Sequence, residues 1–260
     1  MTEKKLKGKT ALVTGASSGI GRELSRLLAA DGCNLILVAR NQQGLDAVAK
    51  ELNGVAGITV RSLAADLSEA AAPAEIFAEL GAEPVDILVN DAGFGTHGPF
   101  AEADLKRDLQ MLQVNILTLT SLTRLFLPGM LQRGWGRILN LGSIASFAPA
   151  PYAAVYSASK AYVLSFSRAL AEEVKGTGVT VTTLCPGATV TGFGKRAEMD
   201  ATKLFAATTS KPDAVAAAGY RALLSGRRVV IPGASNRFIA IAPRFVPDGL
   251  VTRLSKRFMS

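Results

Sequence analysis

Residues 10–30 read TALVTGASSGIGRELSRLLAA, and this stretch decides the fold. Thr10–Thr14 is a short apolar run of strand type, and it passes without a spacer into Gly15, Ala16, Ser17, Ser18, Gly19, Ile20 and Gly21. A helical pattern then runs from Arg22 to Ala30. Glycines in a strand-to-helix turn let backbone approach a pyrophosphate closely, and the start of the helix offers free N–H groups and positive potential. The spacing is Gly-x-x-x-Gly-x-Gly, and its place after a first strand makes the turn a candidate dinucleotide site.

Working outward, strand-like runs recur at Leu35–Ala39, Thr59–Ala64, Asp86–Asn90, Arg137–Leu141, Val179–Cys185 and Arg228–Pro232. Helical periodicity begins between them near Gln42, Glu69, Leu105, Ile116, Val155 and Asp213. Continuous apolar strands alternating with helices predict a doubly wound α/β fold, a mostly seven-stranded parallel sheet covered on both faces. A chain of 260 residues suits one such domain, with no linker to divide it and no internal repeat beyond the alternation. Residues 188–210, after a Pro-Gly pair, have weak pattern and read as a substrate loop or lid. Residues 233–260 read as a basic C-terminal extension.

Composition sets further bounds. The chain is 48% hydrophobic and 19% charged, which excludes disorder. The most apolar run, Ile116–Met130, is interrupted by Thr118, Thr120, Ser121, Thr123 and Arg124, so no membrane span is expected. Only Ala11, Leu12 and Val13 follow the basic start before Thr14, too few for a secretory core, and the expected compartment is the cytoplasm. Cys33 and Cys185 lack metal-type spacing and read as buried neutral thiols, with no metal expected. The net charge of +8 is local: from Gly219 onward eight basic residues face the single acid Asp248. That distribution argues against nucleic acid as a partner.

Right-handed crossovers bring the carboxyl ends of all strands to one edge, so polar residues at strand ends are the ones to question. Strand two ends at Arg40, where an acid would hold ribose hydroxyls and an Arg accommodates a 2′-phosphate, so NADP(H) is the expected cofactor. Asp66 after strand three either accepts from an adenine amino group or caps a helix starting near Glu69. Asn90, Asp91, Ala92 and Gly93 after strand four either floor an adenosine site or form a plain turn. Strand five delivers Ser143, and the next helix carries Tyr156 and Lys160 at i and i+4, on one face. A lysine ammonium near a phenol favours the phenolate, which brings the phenol toward the range of a general acid/base at neutral pH.

Together TGASSGIG (14–21), Asp66, NDAG (90–93), Asn115, Ser143, YSASK (156–160) and Pro186-Gly187 resemble the short-chain dehydrogenase/reductase family over nearly the whole chain. The resemblance implies a single Rossmann domain and an NADP(H) site formed with Leu67, Pro186, Gly187 and Thr189 and the backbone of Val190. It also implies a catalytic tetrad of Asn115, Ser143, Tyr156 and Lys160. Tyr156 is then the general acid/base, Ser143 orients the carbonyl, Lys160 holds the nicotinamide ribose and lowers the tyrosine, and Asn115 supports a water relay. The family's usual second Asn of Asn-Asn-Ala-Gly is Asp91 here, which alters hydrogen bonding beside the cofactor.

Phe94, His97, Ile144, Phe147, Tyr152 and Phe193, on loops after strands four to six, are the candidate pocket residues. Their apolar character points to a hydrophobic ketone, steroid-like or 3-oxoacyl substrate. A non-catalytic NADP(H)-sensing or scaffold protein on the same fold is the alternative. Apolar residues at helical spacing among the tail's cations leave two readings: a packing segment over the pocket or a subunit neighbour, or an amphipathic element touching an anionic membrane surface or an acidic carrier. Helices near Asn115–Leu131 and Val155–Val174 carry apolar residues on more than one face, and with the resemblance they imply a homodimer or homotetramer.

Overall fold

The computed structural model describes residues 5–55, 57–192, 194, 197, 202 and 208–259. Seven parallel strands form one sheet in the order β3-β2-β1-β4-β5-β6-β7. They are β1 (Thr10–Thr14), β2 (Asn34–Ala39), β3 (Val60–Ala64), β4 (Ile87–Asn90), β5 (Gly136–Leu141), β6 (Val179–Leu184) and β7 (Val229–Val230). The doubly wound sheet expected from the sequence is thus present. The last strand is shorter than Arg228–Pro232, because only Val229 and Val230 pair with β6.

Alternate residues of each strand serve opposite faces, which is why the strands read as unbroken apolar runs. Ala11, Val13, Leu35, Leu37, Ile87 and Val89 pack with helices α1 (Gly19–Ala30), α2 (Gln42–Leu52) and α7 (Pro212–Ser225). Leu12, Ile36, Val38, Leu88 and Ile138 pack on the other face with α3 (Ala72–Leu80), α5 (Leu119–Gln132) and α6 (Ala154–Glu173). Leu12 is fully buried, and its truncation to Ala would cost about 2–5 kcal/mol.

Two differences from the sequence reading have local causes. Helix α3 starts at Ala72 rather than near Glu69, because the Ser68 N–H bonds back to Asp66 Oδ1 and turns the chain first. The segments expected to start separately near Leu105 and Ile116 form one helix. Here α4 (Leu105–Leu112) runs through a π-helical stretch, Gln113–Thr118, into α5. By length and hydropathy Leu105–Gln132 could cross a membrane, but its Val114, Leu122, Phe126 and Met130 pack against the sheet. Two short helices, α8 (Ala234–Ile241) and α9 (Asp248–Met259), close the chain.

The strand order reverses between β1 and β4, and their register sets Thr14 beside Asn90. A crevice therefore opens at the carboxyl edge, above the glycine-rich turn on one side and the loop after β4 on the other.

Candidate active site

A cavity of about 1300 Å³ occupies that crevice. Its glycine-rich wall follows from backbone geometry. Gly15 and Gly19 adopt positive φ, and a Cβ on Gly15 would lie 2.9 Å from Asp91 Oδ2. A Cβ on Gly21 would come within 2.7 Å of the Gly15 carbonyl, so only glycine allows α1 to start this close to β1. Ser18 at the N-cap makes no side-chain bond to the helix. The first turn of α1 therefore presents N–H groups and its positive dipole end to a cavity lined by Gly15, Ser17, Ser18 and Ile20. This is the cradle a diphosphate needs, and the residues fit a dinucleotide.

Arg40, Asp66 and Leu67 continue the wall at the ends of β2 and β3, with Arg40 exposed at its edge. Asp66 Oδ1 accepts from the Ser68 N–H (3.0 Å) and hydroxyl (2.8 Å), so the carboxylate shapes its own turn. Burial pushes the carboxyl up, but these bonds and the Arg40 charge outweigh it and hold Asp66 below its ordinary value.

The loop after β4 is fastened from both sides. Thr14 Oγ1 accepts from the N–H groups of Asp91 (3.1 Å) and Ala92 (3.0 Å). Ala92 and Gly93 line the cavity, whereas Asn90 lies beneath it and donates to Asn140 Oδ1 (2.8 Å) and Thr123 Oγ1 (3.2 Å). Asp91 Oδ1 is buried without a hydrogen-bond partner. Burial raises the Asp91 carboxyl to about 7, against the pull of the Lys160 charge and a bond from the Gly21 N–H.

Ser143 stands at the end of β5 in extended backbone and caps the 3-10 turn Ile144–Ser146, accepting from the Ala145 N–H (3.1 Å). The Ser146 hydroxyl accepts from the Ser143 N–H and donates to the Lys160 carbonyl (2.7 Å), which locks the Ser143 loop to α6. Tyr156 and Lys160, one turn apart on α6, are both buried and both face the cavity. The phenol hydrogen-bonds the Ser143 side chain, yet burial dominates and pushes it up to about 12. The sequence reading has Lys160 lowering this phenol. In the structure the ammonium instead donates to the Leu141 carbonyl (2.8 Å) and lies 5.9 Å from the phenol ring centroid. Burial brings Lys160 itself down to about 8, with Asp91 pulling the other way.

Asn115 sits in the π-helical stretch, where the widened turn directs its amide onto the loop after β4. Its Nδ2 donates to the Phe94 carbonyl (3.0 Å) and Ser159 Oγ (3.1 Å), and its Oδ1 accepts from the Phe94 N–H (3.2 Å). Ser159 in turn donates to the Tyr156 carbonyl (2.7 Å). The Asn115 side chain is therefore a brace between the cavity floor and the Tyr156 turn.

Pro186, Gly187 and Thr189 reach the cavity from the end of β6, with Thr189 bridged to Ser210, while Val190 is exposed. Of the expected pocket residues, Phe94 and Ile144 line the cavity. His97 and Tyr152 border a separate space of about 30 Å³, where His97 Nε2 contacts the Met259 carbonyl at 2.9 Å. Phe147 packs under the Arg168 guanidinium, and Phe193 lies outside the described residues, as does part of the expected lid 188–210. Cys33 and Cys185 are buried, and burial raises both thiols to about 12.

Sequence reasoning passed over Ser146 and Ser159, whose hydroxyls act through partners that the fold brings to them, the Lys160 carbonyl for Ser146 and the Asn115 amide for Ser159. It also left the tail's contacts open. Phe238 of α8 and Val251, Leu254 and Phe258 of α9 form the outer wall of the cavity. The last three recur at i, i+3 and i+7, and the structure realises the reading of this stripe as a segment packed over the pocket.

The chain is similar in sequence and fold to known proteins. The family model described as short chain dehydrogenase matches residues 9–202. "Ketoacyl reductase HetN" of Nostoc sp. is 35% identical over 229 residues, covering 87% of this chain and 79% of that protein. A short-chain dehydrogenase from Sphingobium yanoikuyae solved in complex with NADPH superposes with a TM-score of 0.82 at 33% identity, covering 93% of this chain and 92% of the other. The bulky-bulky ketone specific alcohol dehydrogenase of Comamonas testosteroni superposes with a TM-score of 0.77 at 29% identity, covering 93% of both chains.

Proposed function

The chain belongs to the short-chain dehydrogenase family, and from that premise we propose that it is an NADP(H)-dependent oxidoreductase interconverting a carbonyl and a secondary alcohol on a hydrophobic substrate. The observation that carries this reading is the convergence of Ser143, Tyr156 and Lys160 on one cavity that also contains the glycine-rich turn. The turn from Gly15 to Ile20 would hold the diphosphate, Arg40 the 2′-phosphate, and Lys160 the nicotinamide ribose. Bound NADPH supplies the hydride. Ser143 orients the substrate carbonyl by donating a hydrogen bond, and Tyr156 gives its phenolic proton to the developing alkoxide.

Burial raises the phenol to about 12, which supports the reading of Tyr156 as the acid in reduction. Lys160 would hold the ribose while its ammonium donates to the Leu141 carbonyl. Asn115 acts by position, keeping Phe94 and the Tyr156 turn in register. Apolar groups from Phe94, Ile144, Val251 and Leu254 favour a ketone with bulky apolar substituents, steroid-like or 3-oxoacyl, over a free sugar.

Exposed Leu109, Leu117 and Leu131 along α4–α5 and Tyr162 on α6 support pairing of these helices between subunits, as a homodimer or homotetramer. The reading is tested by NADPH oxidation against a vicinal diketone, an aromatic ketone, a ketosteroid and a 3-oxoacyl thioester, with NADH in parallel. Turnover of at least one apolar carbonyl with NADPH supports it. Tight NADPH binding with turnover of none, in either direction, would favour the non-catalytic alternative.

A further inference from the structure

The C-terminal helices leave an apolar surface that the fold does not cover. Phe238, Ile241, Phe245, Leu250, Leu254 and Phe258 are between 46% and 82% exposed, with Phe245 the most open. Leu250, Leu254 and Phe258 recur every four residues along α9 and so form one exposed stripe. Phe238 of α8 joins this stripe at the cavity mouth, since Phe238, Leu254 and Phe258 all belong to the cavity wall. Single exposed apolar residues are ordinary, but six large ones in 21 positions around one opening mark an interaction surface.

The charge around it identifies the occupant. Arg237, Arg244, Arg253, Lys256 and Arg257 are all exposed in the same segment, against the single acid Asp248. A second copy of the chain meeting this face across a twofold axis would bring cation onto cation. A surface that is apolar within and anionic at its edge is complementary on both counts. We propose that α8 and α9 dock the protein on an anionic lipid bilayer, the aromatic and leucine side chains entering the acyl boundary and the cations meeting lipid phosphates. The cavity mouth then opens onto the membrane, so an apolar carbonyl compound dissolved there enters without crossing water. That last consequence rests on the reductase reading; the docking itself does not.

The test is cosedimentation of the full-length protein with phosphatidylcholine vesicles, with or without a quarter of phosphatidylglycerol, at low and high ionic strength. Three forms are compared: wild type, Ile241→Asp/Phe245→Asp and Arg244→Glu/Arg253→Glu. None of these four side chains lines the cavity, so NADPH oxidation on a water-soluble ketone should be equal in all three and reports separately on the reductase reading. Wild type should partition onto anionic vesicles at low salt and much less onto neutral ones. The apolar pair should lower partitioning by at least about tenfold, and the charge pair by more than about tenfold at low salt, since each basic residue contributes roughly fivefold. Absence of wild-type binding would overturn the proposal. So would equal binding by all three forms, or a smaller oligomer in the apolar pair alone, which would assign the surface to a second copy.

Discussion

Replacing Asp91 by Asn isolates the one position where the loop after β4 departs from the family's usual pair of asparagines. The shape is nearly unchanged and Asn can still accept from the Gly21 N–H, while the ionisable proton and the charge are lost and an NH2 group replaces one carboxylate oxygen. In the wild type, burial raises this carboxyl from its ordinary 3.8 to about 7. Between those values the native state keeps a proton that the unfolded chain has released, so stability falls as pH rises from about 4 to about 7. Above the folded value both states are ionised and the whole penalty is present. Three pH units at about 1.4 kcal/mol each give an upper figure near 4 kcal/mol. Screening by water in the adjoining cavity reduces this to about 2–4 kcal/mol. Urea unfolding of both proteins at intervals from about pH 4 to about pH 7 reads the difference, because the other titrations cancel except that of Lys160, which the Asp91 charge holds up. The two should be equally stable at the acid end, and Asp91→Asn should become progressively the more stable as pH rises. Parallel curves, or a variant that loses ground as pH rises, would refute the argument that this carboxyl is buried at a cost.

Arg40→Ser should weaken NADPH binding by at least about tenfold, since one charge-assisted contact to the 2′-phosphate is removed, and leave NADH binding nearly unchanged in a fluorescence titration. Gly21→Ala places a Cβ 2.7 Å from the Gly15 carbonyl, where backbone must move; thermal unfolding should show a loss of about 1–3 kcal/mol together with weaker NADPH binding. The raised phenol of Tyr156 sets opposite pH demands on the two directions. Alcohol oxidation needs the phenolate, so its initial rate should climb steadily through alkaline pH, while carbonyl reduction stays flat until the phenol begins to ionise.

The fold was legible because parallel strands buried on both faces must be continuously apolar, and six of the seven strand runs, Thr10–Thr14 the clearest, lie within a residue or so of where the structure has them. The nucleotide turn was legible for a related reason: Gly15 and Gly21 are dictated by contacts shorter than any Cβ allows, so the constraint is written in residue type. The substrate end was less so. Loop residues such as His97 and Phe147 carry no periodicity, and their direction is settled by distant partners, the Met259 carbonyl and Arg168. Asn115 reads as an ordinary polar helix residue until the π-helical stretch turns its amide to Phe94. The balance between Lys160 and Tyr156 was also beyond the i, i+4 spacing, because it depends on burial and on the Leu141 carbonyl that draws the ammonium away.

The central claim is that Tyr156 delivers the proton in a reaction driven by NADPH. The most direct measurement is the steady-state rate of NADPH oxidation for wild type and Tyr156→Phe on the best carbonyl substrate, with the NADPH dissociation constant measured on the same preparations. The account predicts a fall in kcat of at least about a hundredfold in Tyr156→Phe with cofactor binding essentially unchanged. A variant retaining most of its kcat while binding NADPH normally would contradict it.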